Sequence, residues 1–278
     1  MKLRELVRET AQRLRKAQLH YGHGTANSGD EAAFLVLRGL RLPFDARADR
    51  KVAPREATHI ERLVQRRIRE RIPLAYLLKE AWLADQPFYV DRRVIIPRSH
   101  IAFLLREFGK PKRVLDLCTG SGCLAILAAQ AFPRARVDAA DLSAGALAVA
   151  RRNVTTHRLR SRVALLKSDL FSGLGGRRYD LILCNPPYVA GPAMRALPPE
   201  YGHEPRMALA GGKDGLDLVQ RIIHRACEHL RPQGLLVCEV GDNRKALLRL
   251  FPRTPFRWPA DQVFLLSRAD LPRQGKVG

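Results

Sequence analysis

The chain has 278 residues, 46% of them hydrophobic, and a formal net charge of +22. That length allows two modest domains with a sizeable core. No apolar run approaches the ~18 residues of a membrane helix, and the charged start Met1-Lys2-Leu3-Arg4-Glu5-Leu6 lacks the apolar stretch of a signal peptide. The charge predicts attraction to nucleic acid or a ribonucleoprotein surface, with a general arginine bias as the competing explanation. Five cysteines without a Cys-x-x-Cys spacing fit the reduced thiols of a cytoplasmic protein better than a disulfide framework or a metal site.

Residues 1–80 read as an N-terminal helical domain. Leu3, Leu6, Val7, Ala11, Leu14 and Ala17 recur at helical steps. A break follows at Tyr21-Gly22-His23-Gly24-Thr25, then a second helix from about Asp30 to Leu40. A third is expected from Pro54 to Ile72, with an apolar stripe of Ile60, Leu63, Val64, Ile68 and Ile72. Arg62, Arg66, Arg67, Arg69 and Arg71 fall largely outside that stripe and read as a solvated face, with RNA contact as the alternative. Residues 81–100 read as a β-hairpin linker, because the period drops to two over Phe88 and Val90 and on to Val94-Ile95-Ile96.

From 101 to 278 strands and helices alternate. The strand candidates are Arg113–Leu117, Arg136–Ala140, Val163–Lys167, Tyr179–Cys184, Leu235–Val240 and Gln262–Ser267, with helical patterns at Leu124–Phe132, Ala144–Asn153 and Leu216–Leu230. This implies an α/β fold with a doubly wound parallel sheet and ligands at the carboxyl ends of its strands. Arg273–Gly278 reads as a loose tail.

Two motifs carry chemistry. In the first, the strand ending at Leu117 runs into Cys118-Thr119-Gly120-Ser121-Gly122, a glycine turn that admits close backbone approach. Alone it is weak, and it lacks the third glycine of the dinucleotide fingerprint. Asp141, with Leu142 behind it, ends the next strand, where an acid accepts both ribose hydroxyls of an adenosine. Asp169 follows the third strand, where an adenine amino group could be met. A helix-capping acid is the bland reading of Asp141, but acids at successive strand ends point to S-adenosylmethionine.

The second motif is Asn185-Pro186-Pro187-Tyr188, at the end of the apolar run Tyr179–Cys184. Neither proline donates a hydrogen bond, so carbonyls and the Asn185 side-chain oxygen can form an acceptor-only cup for a planar nitrogen. A proline-rich turn is the competing reading. The sulfonium methyl is already electrophilic, so positioning of the acceptor is the main task. Other residues read more plainly. His23 fits a loop-structuring role, His203 a hydrogen bond within its loop, Trp82 and Trp258 packing, and Cys118 and Cys123 small buried hydrophobes.

With these pieces the chain resembles the protein glutamine methyltransferases related to HemK, over nearly its whole length. The matching segments are Ile96-Pro97-Arg98, Asp116–Gly122, Asn185–Tyr188, His203-Glu204-Pro205 and Gly211-Gly212-Lys213-Asp214-Gly215. The resemblance implies a helical N-terminal domain, a β-hairpin linker and a Rossmann-like class I methyltransferase domain that uses S-adenosyl-L-methionine. It implies that Asn185 and Pro186 hold a glutamine amide, with Pro187, Tyr188, Arg98 and Glu204 completing the substrate side. It also implies that Asp116, Thr119, Gly120, Gly122, Asp141, Leu142 and Asp169 line the cofactor site, which Asn185 touches from the acceptor side.

Of two branches, Tyr21–Thr25 followed by Asp30-Glu31-Ala32, together with Pro97-Arg98-Ser99, resembles the branch acting on ribosomal protein L-three, not the branch acting on release factors. The expected partner is that protein, or a ribosome assembly intermediate whose rRNA meets the basic surface. An enzyme acting on an exocyclic amine of rRNA or DNA is the runner-up, since such enzymes share the Asn-Pro-Pro-aromatic motif. A non-catalytic assembly factor is the third reading. Pro259-Ala260-Asp261 is shorter than the glycine-rich turn of the branch, which bears on the last strand pair.

Overall fold

The computed structural model describes residues 1–272; the Arg273–Gly278 tail lies outside the described residues. Four helices come first: α1 (Leu3–Lys16), α2 (Ser28–Gly39), α3 (Pro54–Arg69) and a short α4 (Leu74–Leu78). Local chemistry starts each of the longer three. Glu5 accepts the Lys2 N–H at 2.8 Å, Asn27 Oδ1 accepts the Asp30 N–H at 2.9 Å, and Glu56 accepts the Ala53 N–H at 2.9 Å just before Pro54. Each bond satisfies a donor that a helix start leaves open. Ile60, Leu63 and Val64 of α3 bury against Leu3, Leu6, Leu35 and Val36, each contributing roughly 1.5–3 kcal/mol.

The hairpin is shorter than its pattern predicts. β1 (Ala81–Leu83) and β2 (Gln86–Phe88) pair antiparallel around Ala84-Asp85, both at positive φ, as a two-residue hairpin turn requires. Val94-Ile95-Ile96 forms no strand. The Val94 carbonyl accepts the Tyr76 hydroxyl at 2.6 Å, and the Ile96 N–H donates to Glu204 at 2.9 Å. Side chains from two distant segments thus take the bonds a ladder would have used.

After α5 (Ile101–Leu104) comes a seven-stranded sheet: β3 (Arg113–Leu117), β4 (Arg136–Asp141), β5 (Val163–Lys167), β6 (Tyr179–Cys184), β7 (Leu230–Glu239), β8 (Arg257–Ala260) and β9 (Val263–Ser267). Their spatial order is β5-β4-β3-β6-β7-β9-β8. The first five of that order are parallel, whereas β9 runs antiparallel to β7 and to β8. β8 and β9 pair across the short Asp261-Gln262 turn, with an irregular register between Arg257 and Ala260. β7 begins earlier than the pattern predicts, because Arg231–Gln233 run on as an exposed extension past a register shift opposite Tyr179.

α6 (Cys123–Ala131) and α7 (Ala144–Thr156) pack on one sheet face, where Leu124, Ile126 and Val154 meet Val114, Val137 and Leu183. α9 (Asp217–His229) and α10 (Arg244–Leu250), beyond a short α8 (Gly191–Ala196), cover the other with Val219, Ile222, Ile223 and Leu247. Connectivity reverses between β3 and β6, and a crevice opens at the carboxyl ends of strands at such a point. No helix among the described residues is long and apolar enough to cross a membrane.

Candidate active site

β3 turns out of the sheet at Cys118, which has φ +57°. Gly122 then precedes α6 at φ +81°, and a Cβ there would come within 3.1 Å of the Ala150 Cβ. The neighbouring strand's acid holds this turn. Asp141 accepts the Gly120 N–H on one oxygen and the Ser143 N–H on the other, both at 2.8 Å. Each oxygen keeps a further lone pair, an arrangement suited to two vicinal hydroxyls. Burial raises the Asp141 carboxyl above its ordinary range, against the lowering effect of those two bonds.

Asp116 is buried below the turn. One oxygen accepts the Thr119 hydroxyl at 2.5 Å and the Ala125 N–H at 3.0 Å; the other is buried without a partner. Desolvation pushes this carboxyl up to about 7, partly offset by the Thr119 and Ala125 bonds. An unpaired buried carboxyl oxygen is costly, so a cation entering from the small cavity that Asp116 shares with Arg98, Thr119 and Asn185 would relieve it. The cleft at the carboxyl ends of the strands is lined by Cys118, Gly120, Asp141, Leu142, Asp169 and Asn185 among others. Asp169 pairs with Arg221 at 3.0 Å, both half-exposed. A pair so exposed is worth at most about 1 kcal/mol and opens readily.

β6 delivers the second half. Asn185 lines that cleft, the Asp116 cavity and a third pocket walled by Arg98, Pro186, Tyr188 and Tyr201. Among the described residues no hydrogen bond occupies its side-chain amide. The corner is fixed from behind. Asn243 donates to the Tyr188 carbonyl at 2.7 Å, and Val189 exchanges 2.9 Å bonds with Leu209 and Gly211. Gly215, at φ +82°, lies against that carbonyl where any Cβ would collide. This is the work of the Gly211–Gly215 motif. Burial pushes the Tyr188 phenol up to about 12, so it stays protonated.

Arg98 and Glu204 are joined to each other. Two Arg98 nitrogens lie 2.6 Å from the Glu204 oxygens, and Glu204, buried, also takes the Ile96 N–H. Arg98 still faces the acceptor pocket, while Glu204 braces it from beneath. Four residues earlier, fully buried Glu200 accepts the His20 N–H at 3.0 Å and pairs with Arg71 at 2.8 Å and Arg67 at 3.5 Å. Arg67 is not on a solvated face. It is 1% exposed and donates to Glu31 at 2.7 Å and to the His20 carbonyl at 3.0 Å. The signal was in its spacing, since Ile60, Leu63, Val64 and Arg67 follow the i, i+3, i+4, i+7 pattern of one helix face.

His203 reaches across to the Glu70 carbonyl at 2.9 Å, tying its loop to the end of α3. The His23 ring packs 4.5 Å from that of Tyr201, with Nε2 3.8 Å from Glu204, and burial lowers its pKa to about 4. Trp82 packs on Phe44, and Trp258 on Phe256 and Phe264 under Arg244. Tyr201, at the head of the Tyr201-Gly202-His203-Glu204-Pro205 segment, faces the acceptor pocket, a placement the sequence did not assign it.

The methyltransferase small domain family matches residues 100–197. A protein of Bordetella pertussis called ribosomal protein uL3 glutamine methyltransferase is 49% identical over 285 residues, covering 97% of this chain and 96% of that protein. Proteins with the same name from Bradyrhizobium diazoefficiens and Burkholderia pseudomallei are 47% and 46% identical, covering 96% and 97% of this chain and 91% and 95% of their own lengths.

Proposed function

Because the chain belongs to the ribosomal protein uL3 glutamine methyltransferases, we propose that its Asn185 corner holds a uL3 glutamine side chain while a methyl group reaches the amide nitrogen from the adjoining cleft. The reaction class is protein-glutamine methylation and the substrate is uL3. The observation that carries the assignment of residues is that Asn185 forms a shared wall of cofactor cleft and acceptor pocket.

S-adenosylmethionine bound in the cleft supplies an electrophilic sulfonium methyl. The residues fit that molecule. Asp141 would present two carboxylate oxygens to the ribose hydroxyls, the unpartnered oxygen of Asp116 would take the cationic amino-acid end, and Asp169, now paired with Arg221, would meet the adenine amino group. Thr119, Gly120, Gly122 and Leu142 shape the walls between them.

On the acceptor side, an amide nitrogen is a poor nucleophile because its lone pair is delocalised into the carbonyl. Asn185 Oδ1 and the Pro186 carbonyl would accept its two N–H groups and hold the nitrogen toward a tetrahedral shape, facing the cleft that would supply the methyl. The neutral Tyr188 phenol and Pro187 close the pocket, with Arg98 and Tyr201 opposite. The proton becomes acidic as the new bond forms, so no strong base is needed beforehand. Residues 1–80 serve substrate recognition, 81–100 link, and 101–278 form the methyltransferase domain. The +22 charge supports a meeting with uL3 on an assembling particle that already carries rRNA.

Incubating the protein with labelled S-adenosylmethionine and a total ribosomal fraction, followed by mass spectrometry of the labelled species, tests the reading. The expected result is one methyl group on a glutamine side chain of uL3. Label confined to rRNA, or to a release factor added to the mixture, overturns it.

A further inference from the structure

The loops at the amino-terminal end of the parallel strands carry cations without acids. We infer that the amino-terminal rim of the parallel strands binds the phosphate backbone of ribosomal RNA. This deepens the rRNA contact suggested above and rests on it.

The five loops that lead into the parallel strands, residues 110–113, 133–136, 157–162, 177–178 and 230–231, hold eleven Lys and Arg residues and no Asp or Glu. Each strand enters the sheet beside an arginine. Arg113 opens β3, Arg136 opens β4, Arg162 precedes β5, Arg178 precedes β6 and Arg231 is second in β7. With neighbouring strands about 4.8 Å apart, the row spans roughly 19 Å. At the opposite ends the segments 117–123, 141–146, 184–190 and 239–243 contain no Lys or Arg, and Asp116, Asp141 and Glu239 sit there; the cations at that end include Lys167, which closes β5, and Arg93 and Arg98 from the linker. The strand axis therefore runs from a cationic rim to an acid-lined crevice.

A purely structural origin accounts for part of this. Arg162 donates to the Ala129 and Phe132 carbonyls at the end of α6, Arg231 pairs with Asp180 at 3.1 Å, and Arg177 with Asp138 at 3.1 Å. Three helix ends, those of α6, α7 and α9, also point at the rim, but each carries only about half a negative charge. Those partial charges and two carboxylates leave most of eleven cations uncompensated. α3 differs in carrying acids among its arginines: Glu56, Glu61 and, just past its end, Glu70 pair with Arg50, Arg13 and Arg66, and Arg67 is buried, whereas the rim loops hold no acid. A lipid surface fits the rim poorly, because the exposed large hydrophobics (Phe44, Phe103 and Leu142 among them) lie outside these loops. RNA held at the rim would leave the acceptor pocket, at the far end of the strands, open to protein.

The test is binding of a labelled large-subunit rRNA fragment across a salt series. The full chain is compared with Arg134→Glu/Arg160→Glu/Arg178→Glu and with Arg55→Glu/Arg62→Glu/Arg69→Glu, which carries the same charge change on α3. The rim variant should lose at least about tenfold in affinity and lower the log–log salt slope by about 2, near 0.7 per phosphate contact; the α3 variant should lose far less. Equal losses overturn the rim and leave a diffuse rRNA contact standing. No binding by the unaltered protein overturns both. Retained S-adenosylmethionine binding by calorimetry shows that each variant folds, and the milder Arg134→Gln/Arg178→Gln pair, expected to weaken binding in the same direction, decides the matter if the triple does not.

Discussion

Arg98 and Glu204, 106 residues apart in the chain, meet through two 2.6 Å hydrogen bonds with the carboxylate wholly buried. One follows the hairpin and the other follows the Asn-Pro-Pro-Tyr corner, so their union sets the width of the acceptor pocket. Arg98→Met would leave a buried carboxylate without its ion-pair partner and should lower stability by about 3 kcal/mol, whereas adding Glu204→Met should restore only part of the loss, because the buried Ile96 N–H then loses its acceptor. Denaturant titration of the two variants and the parent measures it. A single variant as stable as the parent would show that the pair contributes nothing.

Asn185→Ala removes an acceptor without unsealing the cofactor cleft. Its kcat/KM for uL3 should fall at least about 100-fold, the scale of losing one aligned polar group around a transition state. S-adenosylmethionine affinity by calorimetry should stay close to the parent value. Full activity in this variant would refute the amide-cup mechanism.

Asp141→Ala acts on the other half. It strips the part-buried Gly120 and Ser143 amides of their acceptor, at about 1 kcal/mol each, and it removes the two oxygens proposed for the ribose hydroxyls. Cofactor affinity should drop before kcat at saturating cofactor does. Asp141→Asn retains part of the amide support, so a melting temperature nearer the parent's with cofactor affinity still reduced would separate the two roles.

Asp116 gives a pH signature. Its carboxyl is raised from 3.8 to about 7 by burial, so the fold prefers the protonated form. That preference is fully present below pH 3.8 and is lost as pH rises through about 7. The contribution of this residue to stability should therefore decline across that window, and Asp116→Asn should flatten the decline. A cation docking on its unpartnered oxygen lowers the pKa again, so cofactor binding near pH 6 should release a proton. Calorimetry in two buffers of different ionisation enthalpy reads that proton, and identical heats in both would exclude the assignment.

The sheet was legible because buried parallel strands and the helices between them each leave a local period; all six strand candidates lie on strands of the sheet. The turn at Gly120–Gly122 and the Asn185 corner were legible for a related reason, since short backbone geometries demand particular residues in a row. Val94–Ile96 misled because an apolar run records burial and not pairing. Nothing in sequence marks which distant side chain will take the Ile96 N–H. The place of Tyr201 at the acceptor pocket and the Glu200–Arg67 pair escaped on the same ground: their partners lie more than a hundred residues away, and coupling at that distance has no periodicity. Arg67 alone left a trace, as a charged residue on an apolar stripe.

The loop from Pro198 to Pro205 holds two halves of the molecule with two carboxylates four residues apart. Glu200 closes the buried cluster of the helical part, and Glu204 closes the brace below the acceptor pocket. A chimera that exchanged only residues 1–80 between relatives would bring Arg67 and Arg71 without their counter-ion's native setting, and the graft would sit loosely on a foreign loop. The cassette that carries the proposed substrate-recognition part is therefore discontinuous: the helices together with residues 198–205, far along the chain.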